Sequence, residues 1–476
     1  GAGGRDKVVS LQQVSICSLH HRPLRPPSPP HVEGGRQCLN DSSTSSSRCR
    51  SEDMEGAPAG CAVRTGSCGH EFSVMLSECG AVWVCGENGS GQLGLGDAEE
   101  CGSSAGGEEG NFERAESQEE KEQPVCVMTR LKASHLEGGE VVMVSCGYDH
   151  ALCLLSTGVV LSWGEKYSGQ LGVYHDDCSR PQVIESLRSM FIVFLSAGAS
   201  HSLVVNQDGE LFTFGSNIKG QLGTGTVSFC DDDETKTQPR KVLFPPGLKV
   251  QTCAGGGLHS VAVTSQGSVY SWGCNINGQT GHAGVSEVLS PRKLKFPQPV
   301  EAKLASCGFV HSAVLSREGE VWCFGRGKMG ELGHGSFKNS SRPCRVEALR
   351  GTRVVELACG VRSTFAVCEG EEEDPLYVWG HTEHLRNPSE SDALPKHACL
   401  PQRLEQPPVR NAISAVVSGP CASHMFVCYK RRLRWRLERV LWIGFLKCKE
   451  SVLHLLPEDR PLTSKILLRI VGLACS

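Results

Sequence analysis

The sequence predicts an all-β chain closed into a β-propeller, a ring of small antiparallel sheets, on three observations. A strand ending in a small or aromatic residue plus glycine, then a glycine-rich turn, recurs along the chain. Its copies are VWVCGENGSGQLG at Val82–Gly94, LSWGEKYSGQLG at Leu161–Gly172, FTFGSNIKGQLG at Phe212–Gly223, YSWGCNINGQTG at Tyr270–Gly281 and WCFGRGKMGELG at Trp322–Gly333, with a worn YVWG at Tyr377–Gly380. The closing glycines Gly86, Gly164, Gly215, Gly273, Gly325 and Gly380 stand about 51 to 58 residues apart after a longer first gap. A period near ~50 residues marks one supersecondary unit used many times. Each unit also has a second half, G-x-x-H followed by an apolar strand, at Gly147–His150, Gly198–His201, Gly256–His259 and Gly308–His311. Hairpins repeated radially leave only short sheet edges exposed.

Residues 1–59 hold RPLRPP and SPP runs and a serine tract, without apolar periodicity, and read as disordered. The repeats begin near Gly60. Between the strands lie STG (Ser156–Gly158), QDG (Gln207–Gly209), SQG (Ser265–Gly267) and REG (Arg317–Gly319), which are hairpin turns with glycine taking positive φ. Leu93, Leu171, Leu222 and Leu332 are expected to plug each glycine-rich turn onto its sheet. Two more copies keep the first glycine but lose the histidine, with Phe72 after Gly69 and Ser363 after Gly360; a seventh reaches His424 through extra residues in SGPCASHMFV. Asp97–Gln123, strongly acidic, reads as a solvated loop inserted in the first unit, and Glu369–Asp374 as a smaller acidic loop. The propeller is placed at 60–430, followed by a basic then helical tail at 431–476.

Composition excludes more than it selects. A net charge of −4 gives no global reason to expect nucleic acid or membrane binding. No apolar run reaches ~18 residues, so no spanning helix is expected, and the start of the chain shows no leader pattern. The expected setting is intracellular, cytoplasmic or nuclear. The 25 cysteines contain no C-x-x-C, so zinc-knuckle spacing is missing. Cys68, Cys146, Cys307 and Cys359 share a slot with Ala197, Gly255 and Ser418, which asks for a small packed side chain.

The paired motifs resemble the regulator of chromosome condensation repeat family over residues 60–430. That resemblance implies a seven-bladed propeller. Seven G-x-x-H-type strands stand against six strand-plus-glycine halves, so the N-terminal strand near Ala62–Leu76 is expected to complete a blade begun by the C-terminus. VLWIG at Val440–Gly444 is the other candidate for the missing half.

Chemistry is sparse. Gly89–Gly94 matches G-x-G-x-x-G, but no helix follows to meet a pyrophosphate. His150, His201, His259 and His311 fall one per blade, as structural imidazoles bonded to a neighbouring loop rather than as metal ligands. No catalytic residue, metal, cofactor or small-molecule substrate is expected. The resemblance implies that nucleotide exchange on a small GTPase uses acids just before the repeat histidine; only Asp149 matches, against Ser200, Leu258, Val310 and Arg362. Asp149 is otherwise a loop residue capping a turn. Lys430–Arg439, with Arg434 and Arg436, reads as an import signal, a phosphate-contacting arm or an edge strand with one wet face. In the tail, Leu456, Pro457 and Ile466 resemble the opening of an F-box, which docks on an adaptor of cullin ubiquitin ligases. The reading is a non-enzymatic, monomeric interaction propeller. Its expected partners are other proteins: a small GTPase, a chromatin protein or a cullin-ligase adaptor.

Overall fold

The computed structural model describes residues 8–9, 63–96, 125–174, 177–228, 237–370, 374–382, 395–404, 413–429 and 441–443 of the 476. The acidic insert, the basic run and the leucine-proline segment lie outside the described residues. So does the expected disorder of 1–59, apart from Val8–Val9, a two-residue strand pairing in parallel with Arg403 and Leu404.

The chain is an all-β β-propeller. Blade 1 is Val63–Cys68, Phe72–Ser77, Val82–Gly86 and Val125–Arg130. Blade 2 is Val141–Cys146, His150–Leu155, Val160–Gly164 and Gln182–Val183. Blade 3 is Ile192–Ala197, His201–Asn206, Leu211–Gly215 and Arg240–Lys241. Blade 4 is Val250–Gly255, His259–Thr264, Val269–Cys274 and Glu287–Lys293. Blade 5 is Ala302–Cys307, His311–Ser316, Val321–Gly325 and Ser340–Arg345. Blade 6 is Val354–Cys359, Ser363–Cys368, Leu376–His381 and His397–Leu404. A last, three-stranded sheet is Ile413–Val417, Met425–Tyr429 and Leu441–Ile443. Within each sheet, strands neighbouring in sequence pair antiparallel.

The first strand of every sheet packs on the first strands of its two neighbours, and Val63–Cys68 meets Ile413–Val417, so the ring closes. Two expectations need correction. Among the described residues, six complete four-stranded blades stand where the resemblance implied seven. The last sheet has three strands among the described residues, and its third, Leu441–Ile443, comes from the VLWIG candidate for the missing half, beyond residue 430. Nor does the N-terminal strand share a sheet with the C-terminal ones. Val63–Cys68 and Phe72–Ser77 pair with each other in blade 1, and the first blade meets the last sheet across an interface. Cys68 N donates to Ser418 O at 3.4 Å, and Met75, Trp83, Val417 and Phe426 share a buried cluster.

In blades 2 to 6 the aromatic that precedes the closing glycine explains the repeat. Trp163, Phe214, Trp272, Phe324 and Trp379 are fully buried between blades. Each sits beneath the last glycine of the preceding blade's turn, namely Gly94, Gly172, Gly223, Gly281 and Gly333. The Trp272 indole N–H donates to Gln221 O at 2.9 Å, and Trp163 does the same to Gln92 O at 2.9 Å. Thus one blade's turn roofs the next blade's core, and burial of each ring contributes roughly 2 to 3 kcal/mol.

Gly223 has φ +73°, and a Cβ there would lie 2.7 Å from Trp272 Nε1. Gly247 has a similar φ of +81° but nothing within 4 Å of its Cβ position. Gly223→Ala is expected to cost about 2 to 3 kcal/mol in urea unfolding, against about 1 kcal/mol for Gly247→Ala, which bears only the backbone penalty.

Candidate functional site

The loop between first and second strands and the turn after the third strand emerge on one face, because the second strand starts opposite the closing glycine. His150 pairs with Gly164, His201 with Gly215, His259 with Gly273 and His311 with Gly325. The closing glycines have φ from +100° to +118°. At Gly164 a Cβ would meet Asp149 O at 2.4 Å, so no larger residue fits. That close approach ties the residue before the histidine to the residue after the glycine. Glu165 N donates to Asp149 O, Ser216 N to Ser200 O and Cys274 N to Leu258 O, each at 2.8 Å. Arg326 N donates to Val310 O and Glu87 N to Glu71 O at 2.9 Å, and His381 N to Arg362 O at 2.8 Å.

Each blade therefore presents a pair of adjacent side chains. Around the ring the pairs are Glu71 with Glu87, Asp149 with Glu165, Ser200 with Ser216, Leu258 with Cys274, Val310 with Arg326, and Arg362 with His381. Charge is segregated: four carboxylates on blades 1 and 2, two guanidiniums on blades 5 and 6. The first of these pairs corrects the expectation that Asp149 alone fills the acidic slot. Glu71 occupies the same place in blade 1, hidden from a G-x-x-H search because Phe72 stands where the histidine would be; alignment on Gly69 reveals it. Glu87 and Glu165 carry a plainer signal, a Gly-Glu step in both copies.

The four acids are half-buried. Burial raises the Asp149 carboxyl above its usual range, and the charges of Glu71 and Glu87 add to the effect. Glu165 is raised by burial and then by Asp149, against a hydrogen bond from Gln170 Nε2 at 3.0 Å. The two acidic loops are held together. His70 and Tyr148 stack with centroids 4.2 Å apart, Tyr148 Oη lies 3.2 Å from His70 Nε2, and His70 N donates to Tyr148 O at 3.0 Å.

Beneath this face the histidines form a belt. His150 Nε2 lies 3.1 Å from Ser202 Oγ, His201 2.9 Å from Ser260, His259 2.8 Å from Ser312 and His311 3.0 Å from Thr364 Oγ1. Each of these hydroxyls gives its single proton to a turn carbonyl: Ser202 to Gln170 O, Ser260 to Gln221 O, Ser312 to Gln279 O and Thr364 to Glu331 O. The imidazole must then be the donor, so the neutral Nε2–H tautomer is required. His424 of the last sheet makes the matching contact on Ser73 Oγ of blade 1 at 2.6 Å. Burial pushes His150 and His259 down to about 3, and His201, His311 and His424 down to about 4. Among the described residues no cluster of three His, Cys, Asp or Glu side chains could hold a metal.

On the ring axis, Ser67, Ser145, Ser196 and Ser306 accept from the backbone N–H of Cys146, Ala197, Gly255 and Cys359 in the next sheet, at 2.9 to 3.1 Å. The Cys146 and Cys359 thiols donate to Ser67 O and Ser306 O at 3.4 and 3.5 Å, which accounts for the small-residue slot. The axial cavity is about 170 Å³, smaller than pockets for drug-sized ligands. The segment Gly89–Gly94 is two successive turns, with Gly91 N donating to Asn88 O and Gly94 N to Gly91 O, and no helix follows it among the described residues. Arg434, Arg436, Leu456, Pro457 and Ile466 lie outside the described residues. No helix among the described residues is long and apolar enough to cross a membrane.

The RCC1-like domain model matches residues 36–427. The chain belongs to the RCC1-like domain family. The ultraviolet-B receptor UVR8 of Arabidopsis thaliana is 29% identical over 331 residues, covering 69% of this chain and 67% of the receptor. The human E3 ubiquitin-protein ligase HERC2 is 30% identical over 337 residues, 70% of this chain but 6% of the ligase, so the chain spans a small part of that relative. The crystal structure of Prp20p from Saccharomyces cerevisiae, described with its binding properties to Gsp1p and histones, covers 74% of this chain and 80% of its own. Its TM-score is 0.58 at 22% identity, a likeness of RCC1-like fold.

In an unfolded chain these five imidazoles take up protons near pH ~6.5; in the folded RCC1-like ring they resist until the pH nears 3 to 4. Between those limits the unfolded state binds more protons, so stability is complete above pH ~7 and drains as pH falls. Urea unfolding followed from pH 7 to 4 is expected to show this loss. His259→Gln is expected to flatten the slope by about 1.4 kcal/mol per pH unit.

Proposed function

We propose that the chain is a non-enzymatic, protein-binding propeller that docks its partner on the face bearing Glu71, Glu87, Asp149 and Glu165. The observation that carries this reading is the crowding of four half-buried carboxylates on two neighbouring blades, joined by the His70–Tyr148 stack. Like charges held close on a rigid mount are costly, and a basic partner surface relieves that cost on docking. Rigid blades below and varied pairs above suit recognition without bond-making. Partners with basic surfaces, a chromatin protein or a small GTPase, fit this description. The binding of Prp20p to Gsp1p and histones is a fold-level analogy in its favour.

Nucleotide exchange on a small GTPase is the second reading, and Glu71 favours it by joining Asp149 in the slot that the family resemblance marks. The acids would act on the partner's nucleotide site by charge alone. Coupling to a ubiquitin ligase through Leu456, Pro457 and Ile466 stays a proposal from sequence.

Glu71→Ala/Asp149→Ala is expected to weaken capture of purified core histones or of a cognate small GTPase at least tenfold at physiological salt, with the thermal midpoint unchanged. Unaltered capture of both would remove this face as the docking surface. Labelled GDP release from the GTPase separates the two readings: exchange requires that the double variant slow it, whereas a scaffold leaves it unmoved.

A further inference from the structure

Opposite the carboxylates, blades 5 and 6 carry a site of the reverse charge, built by a departure from the repeat. In the turns of blades 1 to 4 the sequence has glutamine at Gln92, Gln170, Gln221 and Gln279; blade 5 has Glu331. One oxygen keeps the usual task, since Glu331 Oε2 accepts from Met329 N at 2.7 Å as Gln221 Oε1 accepts from Lys219 N at 2.8 Å. The other end differs. Gln170 and Gln221 donate their amide to the face residues Glu165 and Ser216, at 3.0 and 3.1 Å. Glu331 instead turns a carboxylate oxygen toward the face residue Arg326, whose Nε is 3.8 Å away. The Glu331 side chain is 0% exposed, and its Oε1 has no hydrogen-bond partner. Burial raises the Glu331 carboxyl, while hydrogen bonds from the backbone of its own turn, and then Arg326 and Arg362, pull it down. A buried carboxylate is costly unless paired. Here it is paired with Arg326, whose side chain is still 26% exposed.

Arg362 comes from the neighbouring loop of blade 6. It is exposed and makes no ion pair among the described residues. Phe309 and Val310, in the blade 5 loop hydrogen-bonded to the Arg326 turn, and Val361 beside Arg362 are half-buried. Two guanidiniums on adjacent backbone mounts, beside apolar side chains, match carboxylates on a peptide, since a guanidinium takes a carboxylate in bidentate fashion.

We propose that Arg326 and Arg362 form a second recognition site on this face, for a short acidic segment of a protein. A nucleic acid is disfavoured, because a long polyanion lying on the face would also run over Glu71, Glu87, Asp149 and Glu165. The site goes beyond the basic-partner reading and uses the opposite side of the face, so the two fail separately.

The test is fluorescence anisotropy of the whole chain with fluorescein-labelled hexaglutamate, at about 20 mM salt where exposed charges are little screened. Arg362→Glu is expected to weaken binding about tenfold, roughly 1.4 kcal/mol. Arg326→Ala/Glu331→Gln, which removes both members of the buried pair and orphans neither, is expected to weaken it at least threefold. Hexalysine binding should be unmoved by these changes and weakened by Glu71→Ala/Asp149→Ala. Circular dichroism and the thermal midpoint confirm folding of each variant. No measurable hexaglutamate binding by the parent chain, or equal binding by Arg362→Glu, overturns the proposal. So does tighter arginine-dependent binding of single-stranded DNA or of inorganic phosphate than of hexaglutamate.

Discussion

The buried belt histidines of this protein are satisfied only by the neighbouring blade. The imidazole of one blade donates to a hydroxyl of the next, and that hydroxyl has already spent its proton on a turn carbonyl of the first. A buried ring nitrogen without that acceptor would carry the full cost of an unmade hydrogen bond. The relation is directional, so it repeats in one sense around the axis. It recurs where the last sheet reaches the first, through His424 and Ser73, and is interrupted where Phe72 and Ser363 replace the histidine. The aromatic cores obey the same rule, each ring lying under a turn that belongs to its neighbour.

That constraint also shapes the surface. The residue before each histidine and the residue after each closing glycine are pinned by one backbone hydrogen bond, whatever their side chains. Six mounts of fixed geometry are thus free to vary in chemistry. Selection of charge at these mounts sorts acids onto blades 1 and 2 and guanidiniums onto blades 5 and 6, on a chain whose net charge is only −4. The exchange of Gln for Glu331 shows the mount and its support changing together: an amide donor beneath Glu165 and Ser216, a carboxylate beneath Arg326.

Much of this was legible in the repeats. The period, the closing glycines and the apolar plugs specify hairpins that must stack, and Leu93, Leu171, Leu222 and Leu332 are indeed buried. The family resemblance named the right architecture but overstated the complete blades. It also misplaced the closure, because a register of motif halves does not say which strands pair across the chain ends. Glu71 escaped notice for a related reason: the pattern was anchored on a side chain, His, that blade 1 replaces with Phe72, while the invariant geometric anchor is the glycine.

Local patterning by itself determined that this chain forms hairpins of a propeller with small, buried residues around its axis. Periodicity and glycine placement are properties of a few neighbouring residues and need no knowledge of the rest. Only the tertiary structure decided which side chains meet on the face. Glu71 and Asp149 are 78 residues apart in sequence, as are the stacked His70 and Tyr148, and ring closure alone brings Ser73 to His424. Such contacts depend on how far each sheet turns relative to the last, and that rotation is set by packing between blades.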